Sequence, residues 1–197
     1  MKFTVIAAIS ILSTLASGLV LPDLTPRDAP IHLEVVIKED FLATVFHPPI
    51  CIVIKEDYPI TAFPPAAICE VSRSNGSHNV KTLLGFNLPA FPPGKKCTIS
   101  FSDASSASGS FKMQLFTTIG CPAYGNTWYY KPSTNIHKGT FQTSTSGAGK
   151  ATVVDDYGLT FNCPIVPTWY CFEVQPVGDD DKVTWNRAWH GFIITAA

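Results

Sequence analysis

Leu83-Leu84-Gly85-Phe86-Asn87-Leu88-Pro89-Ala90-Phe91-Pro92-Pro93-Gly94-Lys95-Lys96-Cys97-Thr98-Ile99-Ser100-Phe101 reads as strand, stiff connector, strand. Leu84, Phe86 and Leu88 alternate with Leu83, Gly85 and Asn87, a weak period of two. Ile99 and Phe101 continue the face begun by Cys97, while Lys96, Thr98 and Ser100 point the other way. Between the two runs, Pro89, Pro92 and Pro93 cannot donate ladder hydrogen bonds and Gly94 permits a turn. The stretch predicts a pair of strands on which the downstream strands pack.

Downstream, Asp103 to Ser110 reads as a Ser/Ala/Gly loop. Phe111, Met113 and Leu115 alternate with Lys112, Gln114 and Phe116 as a half-buried strand. Gly139 to Thr143 and Ala151 to Val154 flank a Ser/Gly turn. Tyr170, Phe172 and Val174 share a face, and Val183 and Trp185 open a last pair of strands running to Thr195. Upstream, Ile68 to Ser72 and the run from Val80 flank Ser74-Asn75-Gly76, a hairpin signal with a connection read as longer than two residues. Past the N-terminal segment, no dozen-residue window has helical periodicity. Ten or so short strands predict an all-β fold, an antiparallel β-sandwich or jelly roll.

Lys2, the apolar run Phe3 to Ala16 and the small residues Ala16, Ser17 and Gly18 make residues 1–18 read as a secretory signal peptide. The run is too short to span a bilayer comfortably, and no other stretch is long enough. Residues 19–34, with Pro22, Pro26 and Pro30, read as an extended leader, 35–67 as a duplicated strand-turn segment partly in the sandwich, and 68–197 as the sandwich domain. The expected location is extracellular, with a cell-wall association open.

In such a chain the six cysteines, Cys51, Cys69, Cys97, Cys121, Cys163 and Cys171, read as three disulfides with fifteen connectivities open. No Cys-x-x-Cys or His-x-x-x-His spacing supports zinc. Asn75-Gly76-Ser77 is an N-glycosylation sequon on the expected turn. A net charge of -1, with 15% charged residues, gives no field for nucleic acid or an anionic membrane surface.

The duplication is specific. Val36-Ile37-Lys38-Glu39-Asp40-Phe41 returns as Val53-Ile54-Lys55-Glu56-Asp57-Tyr58, and Thr44, Phe46 and Pro48 return as Thr61, Phe63 and Pro65, always seventeen residues on. Two copies are too few for a solenoid. One copy is expected in a native strand position and the other as an edge strand or surface loop, so one copy is expected to be dispensable for folding. Each Lys-Glu-Asp run reads as a solvated turn.

Several pieces, in order from about Ile52 to Trp185, resemble the fungal But-two (ubiquitin 3 binding protein) C-terminal domain family. They are Thr82 to Pro89, Gly94 to Phe101, Trp128 to Pro132, Gly139 to Phe141, Asn162 to Pro164 and Phe172 to Asp179. The resemblance implies a secreted fungal β-sandwich with no established catalytic residues. Disulfides and a signal peptide argue against a cytosolic ubiquitin-pathway partner. Cys97 and Cys163 lie on matching pieces and are expected to pair. Cys51 with Cys69 would then staple the second repeat copy. Cys171, where the family pattern expects a small residue, would pair with Cys121 as an added staple.

Chemical motifs are sparse. Gly-x-Ser-x-Gly and His-Glu-x-x-His are missing, and Gly147-Ala148-Gly149-Lys150 lacks the P-loop's leading glycine and its Ser/Thr. His32, His47, His78, His137 and His190 are scattered and no nucleophile stands out beside them. Glu173, Asp155 and Asp156 could supply a glycosidase's carboxylate pair, but read more simply as sheet-surface and turn residues. Asp179-Asp180-Asp181 reads as a solvated turn rather than a calcium site. No cofactor or metal is expected.

The binding candidates are Tyr124, Trp128, Tyr129 and Tyr130 in an aromatic loop bounded by Gly and Pro. Trp128 is expected to close the core at one end of the sandwich. Tyr129 and Tyr130 alternate, so one of them is expected to face out. The chain thus reads as a non-catalytic binding module for a cell-wall polysaccharide or an extracellular protein. The alternative is a secreted carbohydrate-active hydrolase on a jelly-roll scaffold.

Overall fold

The computed structural model describes residues 43–146 and 148–197. Residues 1–18 and 19–34, expected as a signal peptide and an extended leader, and the Val36 to Phe41 half of the first repeat copy lie outside the described residues. Among the described residues there are thirteen strands and no helix. In chain order these are β1 (Thr44–Phe46), β2 (Ile50–Lys55), β3 (Ile68–Ser74), β4 (Ser77–Leu88), β5 (Lys96–Phe101), β6 (Ser106–Ser108) and β7 (Lys112–Ile119). They continue as β8 (Ser133–Gln142), β9 (Thr152–Asp156), β10 (Thr160–Asn162), β11 (Thr168–Pro176), β12 (Asp181–Asn186) and β13 (Phe192–Ala196).

All the pairings are antiparallel, and they build a disulfide-stapled sandwich of two unequal sheets. The smaller has the order β1-β13-β5-β10. The larger has the order β6-β12-β3-β4-β11-β7-β8-β9, with β2 pairing β4 as well. The two strands of Leu83 to Phe101 do not pair with each other. β4 belongs to the larger sheet and β5 to the smaller, because three prolines in the connector oppose a hairpin and carry the chain across. Leu84, Phe86 and Leu88 meet Cys97, Ile99 and Phe101 in the core between the layers. There Trp185 and Phe141 of the larger sheet stand edge-on to Phe101 and Phe192 of the smaller. The centroid separations are 5.5 Å for Phe101–Trp185 and 5.1 Å for Phe141–Phe192.

Several local features of the chain differ from the sequence expectation. The β3–β4 connection is a two-residue hairpin loop: Asn75 and Gly76 have φ of 50° and 71°, both positive as a type I′ turn requires. The Asp103 to Ser110 loop contains β6, three residues long and paired with β12. β8 begins at Ser133, six residues before Gly139. Its first half, Ser-Thr-Asn-Ile-His-Lys, lies largely on an exposed polar face and shows no apolar alternation. β12 and β13 lie in different sheets rather than forming a final pair.

The repeat is split between roles. Thr44 and Phe46 of the first copy form edge strand β1 on β13, while their counterparts Thr61 and Phe63 lie in the irregular β2–β3 connection. Val53 to Lys55 of the second copy lie in β2. Both copies therefore contribute strands.

The disulfides join Cys51 to Cys69, Cys97 to Cys163 and Cys121 to Cys171, the pairs set out above, and leave no cysteine free. Among the described residues, no helix is long and apolar enough to cross a membrane.

Candidate binding surface

β11 separates two environments. Phe172 and Val174 enter the main core, and Glu173 lies on the opposite face of the sheet. Register places Ile52, Leu83, Glu173 and Phe116 in one row across β2, β4, β11 and β7. Ile52, Ile54 and Leu83 form a second apolar cluster on that face, with Ile50 and Trp128 packed against it.

Glu173 is 0% exposed. Its Oε2 accepts hydrogen bonds from Lys131 Nζ at 2.5 Å and Thr134 Oγ1 at 2.8 Å, and its Oε1 accepts from Gln175 Nε2 at 2.8 Å. Lys81 Nζ stands 3.1 Å from Oε1 and 4.9 Å from the centroid of the Trp128 ring. Burial pushes the Glu173 carboxyl up, but the Lys131 bond, the Lys81 charge and the Thr134 bond outweigh it, so the pKa lies below its ordinary value. Trp128 and Lys131, both in the aromatic loop, are thereby anchored around one buried carboxylate.

The loop fixes its own backbone. Asn126 Oδ1 accepts from the Ala123 N–H at 2.6 Å, and Asn126 Nδ2 donates to the Tyr130 carbonyl at 3.0 Å. The Tyr130 N–H donates to Thr127 Oγ1 at 3.1 Å, and the Tyr129 N–H to the Pro59 carbonyl of the β2–β3 connection at 3.1 Å. The Cys121–Cys171 disulfide ties the start of the loop to β11. A Cβ added at Gly85, opposite Cys171 in register, would stand 3.3 Å from the Trp169 ring and 3.5 Å from Pro122, so the small residue gives the loop room to lie close.

This frame holds three tyrosines out: Tyr124 is 79%, Tyr129 67% and Tyr130 73% exposed. Tyr129 and Tyr130 are both outward, since a turn rather than a strand carries them and alternation does not apply. Trp128 does not close the main core, which Trp185 fills. It is half-buried on the second cluster instead. Tyr58 and Ile60, exposed on the β2–β3 connection that Tyr129 bonds to, extend the aromatic and apolar surface. Neither stands out as a binding residue in the sequence, since both follow the repeat's Lys-Glu-Asp run and lie far along the chain from the aromatic loop. That run is a turn as expected: Glu56 takes the Asn79 N–H at 2.8 Å, and Asp57 lies 2.9 Å from His78.

The other candidates are brought to different places. Both oxygens of Glu173 are engaged and closed off from solvent. Asp156 accepts the Gly158 and Leu159 N–H groups at 2.8 Å each, and these bonds hold its pKa below the ordinary value. Asp179 to Asp181 are not uniformly solvated. Asp181 is buried, accepting from the Ser110 N–H at 2.5 Å and hydroxyl at 2.7 Å and from the Gly178 N–H, while Asp180 accepts the Asn75 N–H at 2.8 Å. His137 stacks on Phe116 with centroids 4.7 Å apart, and His190 lies 3.4 Å from Asp103. Among the described residues, no group of three or more His, Cys, Asp or Glu is placed to hold a metal ion. Asn75 sits exposed at its turn.

No protein-family model matches the chain, and no curated protein matches it. Among solved structures, a carbohydrate-binding module (CBM6cm-2) from Cellvibrio mixtus lichenase 5A, in complex with cellotriose, is similar at 9% identity and a TM-score of 0.25, over 75% of this chain and 98% of that one.

Proposed function

We propose that the chain is a non-catalytic extracellular module that binds polysaccharide through the loop from Cys121 to Pro132. The observation that carries this reading is the exposure of Tyr124, Tyr129 and Tyr130 on a backbone fixed by a disulfide, the Asn126 and Thr127 bonds and the Trp128–Lys81–Glu173 anchor. Tyrosine rings offer apolar faces for the C–H side of a sugar and hydroxyls for its polar edge. A preformed loop avoids most of the ordering that binding would otherwise cost. Secretion through residues 1–18, three disulfides and a sequon on an exposed turn all suit an extracellular life. Membership of the But-two C-terminal domain family is part of the same proposal and rests on the sequence pieces alone.

The test is retention of the secreted chain on chitin and on β-glucan. Tyr129→Ala and Tyr130→Ala should each weaken retention by about 1 kcal/mol, roughly fivefold. As exposed substitutions they should change stability by no more than about 0.5 kcal/mol. Failure of the wild-type chain to bind either polymer would turn the reading toward a protein ligand for the same tyrosines.

A further inference from the structure

A cavity lies on the other side of β11 from the tyrosine loop. Its volume is about 290 Å³, near the lower end of the roughly 300–1,000 Å³ usual for small-molecule sites. Ile99 of β5 and Phe172 of β11, both buried, come from opposite sheets, so the cavity lies between the layers. Phe161 of β10 and Tyr170 of β11 line it with ring centroids 4.9 Å apart, tilted by 40°. β10 is the edge of the smaller sheet, while β11, β7 and β8 continue the larger one. The covering layer stops there and gives access to the apolar interior.

Two of the polar lining residues differ in their commitments. Asn162 already accepts a hydrogen bond from Lys96 Nζ at 2.6 Å. Lys138 is half-buried and, among the described residues, forms no ion pair and no side-chain hydrogen bond. Its charge is felt by Asp156, but that carboxylate is already engaged with the Gly158 and Leu159 N–H groups. Its Nζ lies close to Gly158, where an added Cβ would stand 2.8 Å away, and an ammonium partly withdrawn from water on a residue that lines an apolar cavity gains most from an anion that brings its own apolar body.

We propose that this cavity binds a small amphipathic carboxylic acid, with its apolar part among Ile99, Phe161, Tyr170 and Phe172 and its carboxylate at Lys138. The site is independent of the tyrosine loop, since the two use opposite faces of β11.

Calorimetric titration of the full secreted chain with octanoate and with octylamine separates charge from burial. Octanoate should bind about tenfold more tightly than octylamine, the effect of one charge-assisted hydrogen bond. Lys138→Met should abolish that preference while a thermal melt shows the fold retained, and Lys138→Arg should keep it. No heat of binding from millimolar octanoate, or a preference that survives in Lys138→Met, would overturn the proposal. Polysaccharide retention by the same preparations should be the same with and without octanoate. Loss of retention on adding octanoate would show that the two sites are not separate.

Discussion

Glu173 is a charged side chain with no exposure, and it persists because four donors, from β4, β8, β11 and the aromatic loop, surround it. Removing one partner of such a buried pair typically costs about 3–5 kcal/mol, since the others are left uncompensated. Lys81 and Lys131 are each 16% exposed and can reach partly toward water, so Glu173→Gln should fall near the lower end, about 3 kcal/mol by urea unfolding at pH 7. The pH dependence follows from the direction of the shift. The folded pKa lies below the ordinary value. The stabilisation is therefore fully present above the unfolded pKa of about 4.3, and it fades as pH falls through the folded one. The gap between wild type and Glu173→Gln should be widest near neutrality and close toward acid. A gap that stays constant from neutral to acid pH would show that packing, not charge, makes the difference. The variant should also loosen the tyrosine loop, since Trp128 and Lys131 both lean on this carboxylate.

At the scale of elements, the repeat decides what deletion does. Removing one seventeen-residue unit, Val36 to Ile52, takes away β1 and would bring Glu34 to the place where Cys51 is buried. The expected result, contrary to a dispensable copy, is no cooperative thermal transition even with Cys69→Ser, because an unpaired carboxylate would enter an apolar core. The same disulfide can be tested alone. Cys51 and Cys69 are eighteen residues apart, and replacing both with Ala should cost about 3 kcal/mol on the loop-entropy account. The strands that were legible in the sequence are those with one face in the main core, such as β4, β5, β7 and β11, where burial imposes a period of two. Those that were not are β6, β10 and the first half of β8, short or polar on both faces and held by pairing with neighbours rather than by their own pattern. The aromatic loop was legible as a candidate from composition. Its anchoring was not, since Lys81, Trp128 and Glu173 converge from positions far apart in the chain, and no local pattern encodes that meeting.

For the whole molecule, the three disulfides leave one job undone. Cys51–Cys69 joins β2 to β3 within the larger sheet, Cys121–Cys171 ties the aromatic loop to β11 of that sheet, and Cys97–Cys163 ties β5 to the residue after β10 in the smaller one. None bridges the layers. The sheets are held together by apolar contact, and most visibly by Trp185 and Phe141 of one layer meeting Phe101 and Phe192 of the other. Phe192 touches all three of the others and is fully buried. Phe192→Ala should therefore cost about 3–5 kcal/mol with every disulfide intact. At about 2–4 °C per kcal/mol for a chain of this size, that lowers Tm by about 6–20 °C. Because both sheets bury their inner faces in one shared core, calorimetry should show a single transition in wild type and variant alike. Two resolved transitions in the oxidised variant would mean that each sheet carries a stable core of its own, and that the interlayer aromatics are not what joins them.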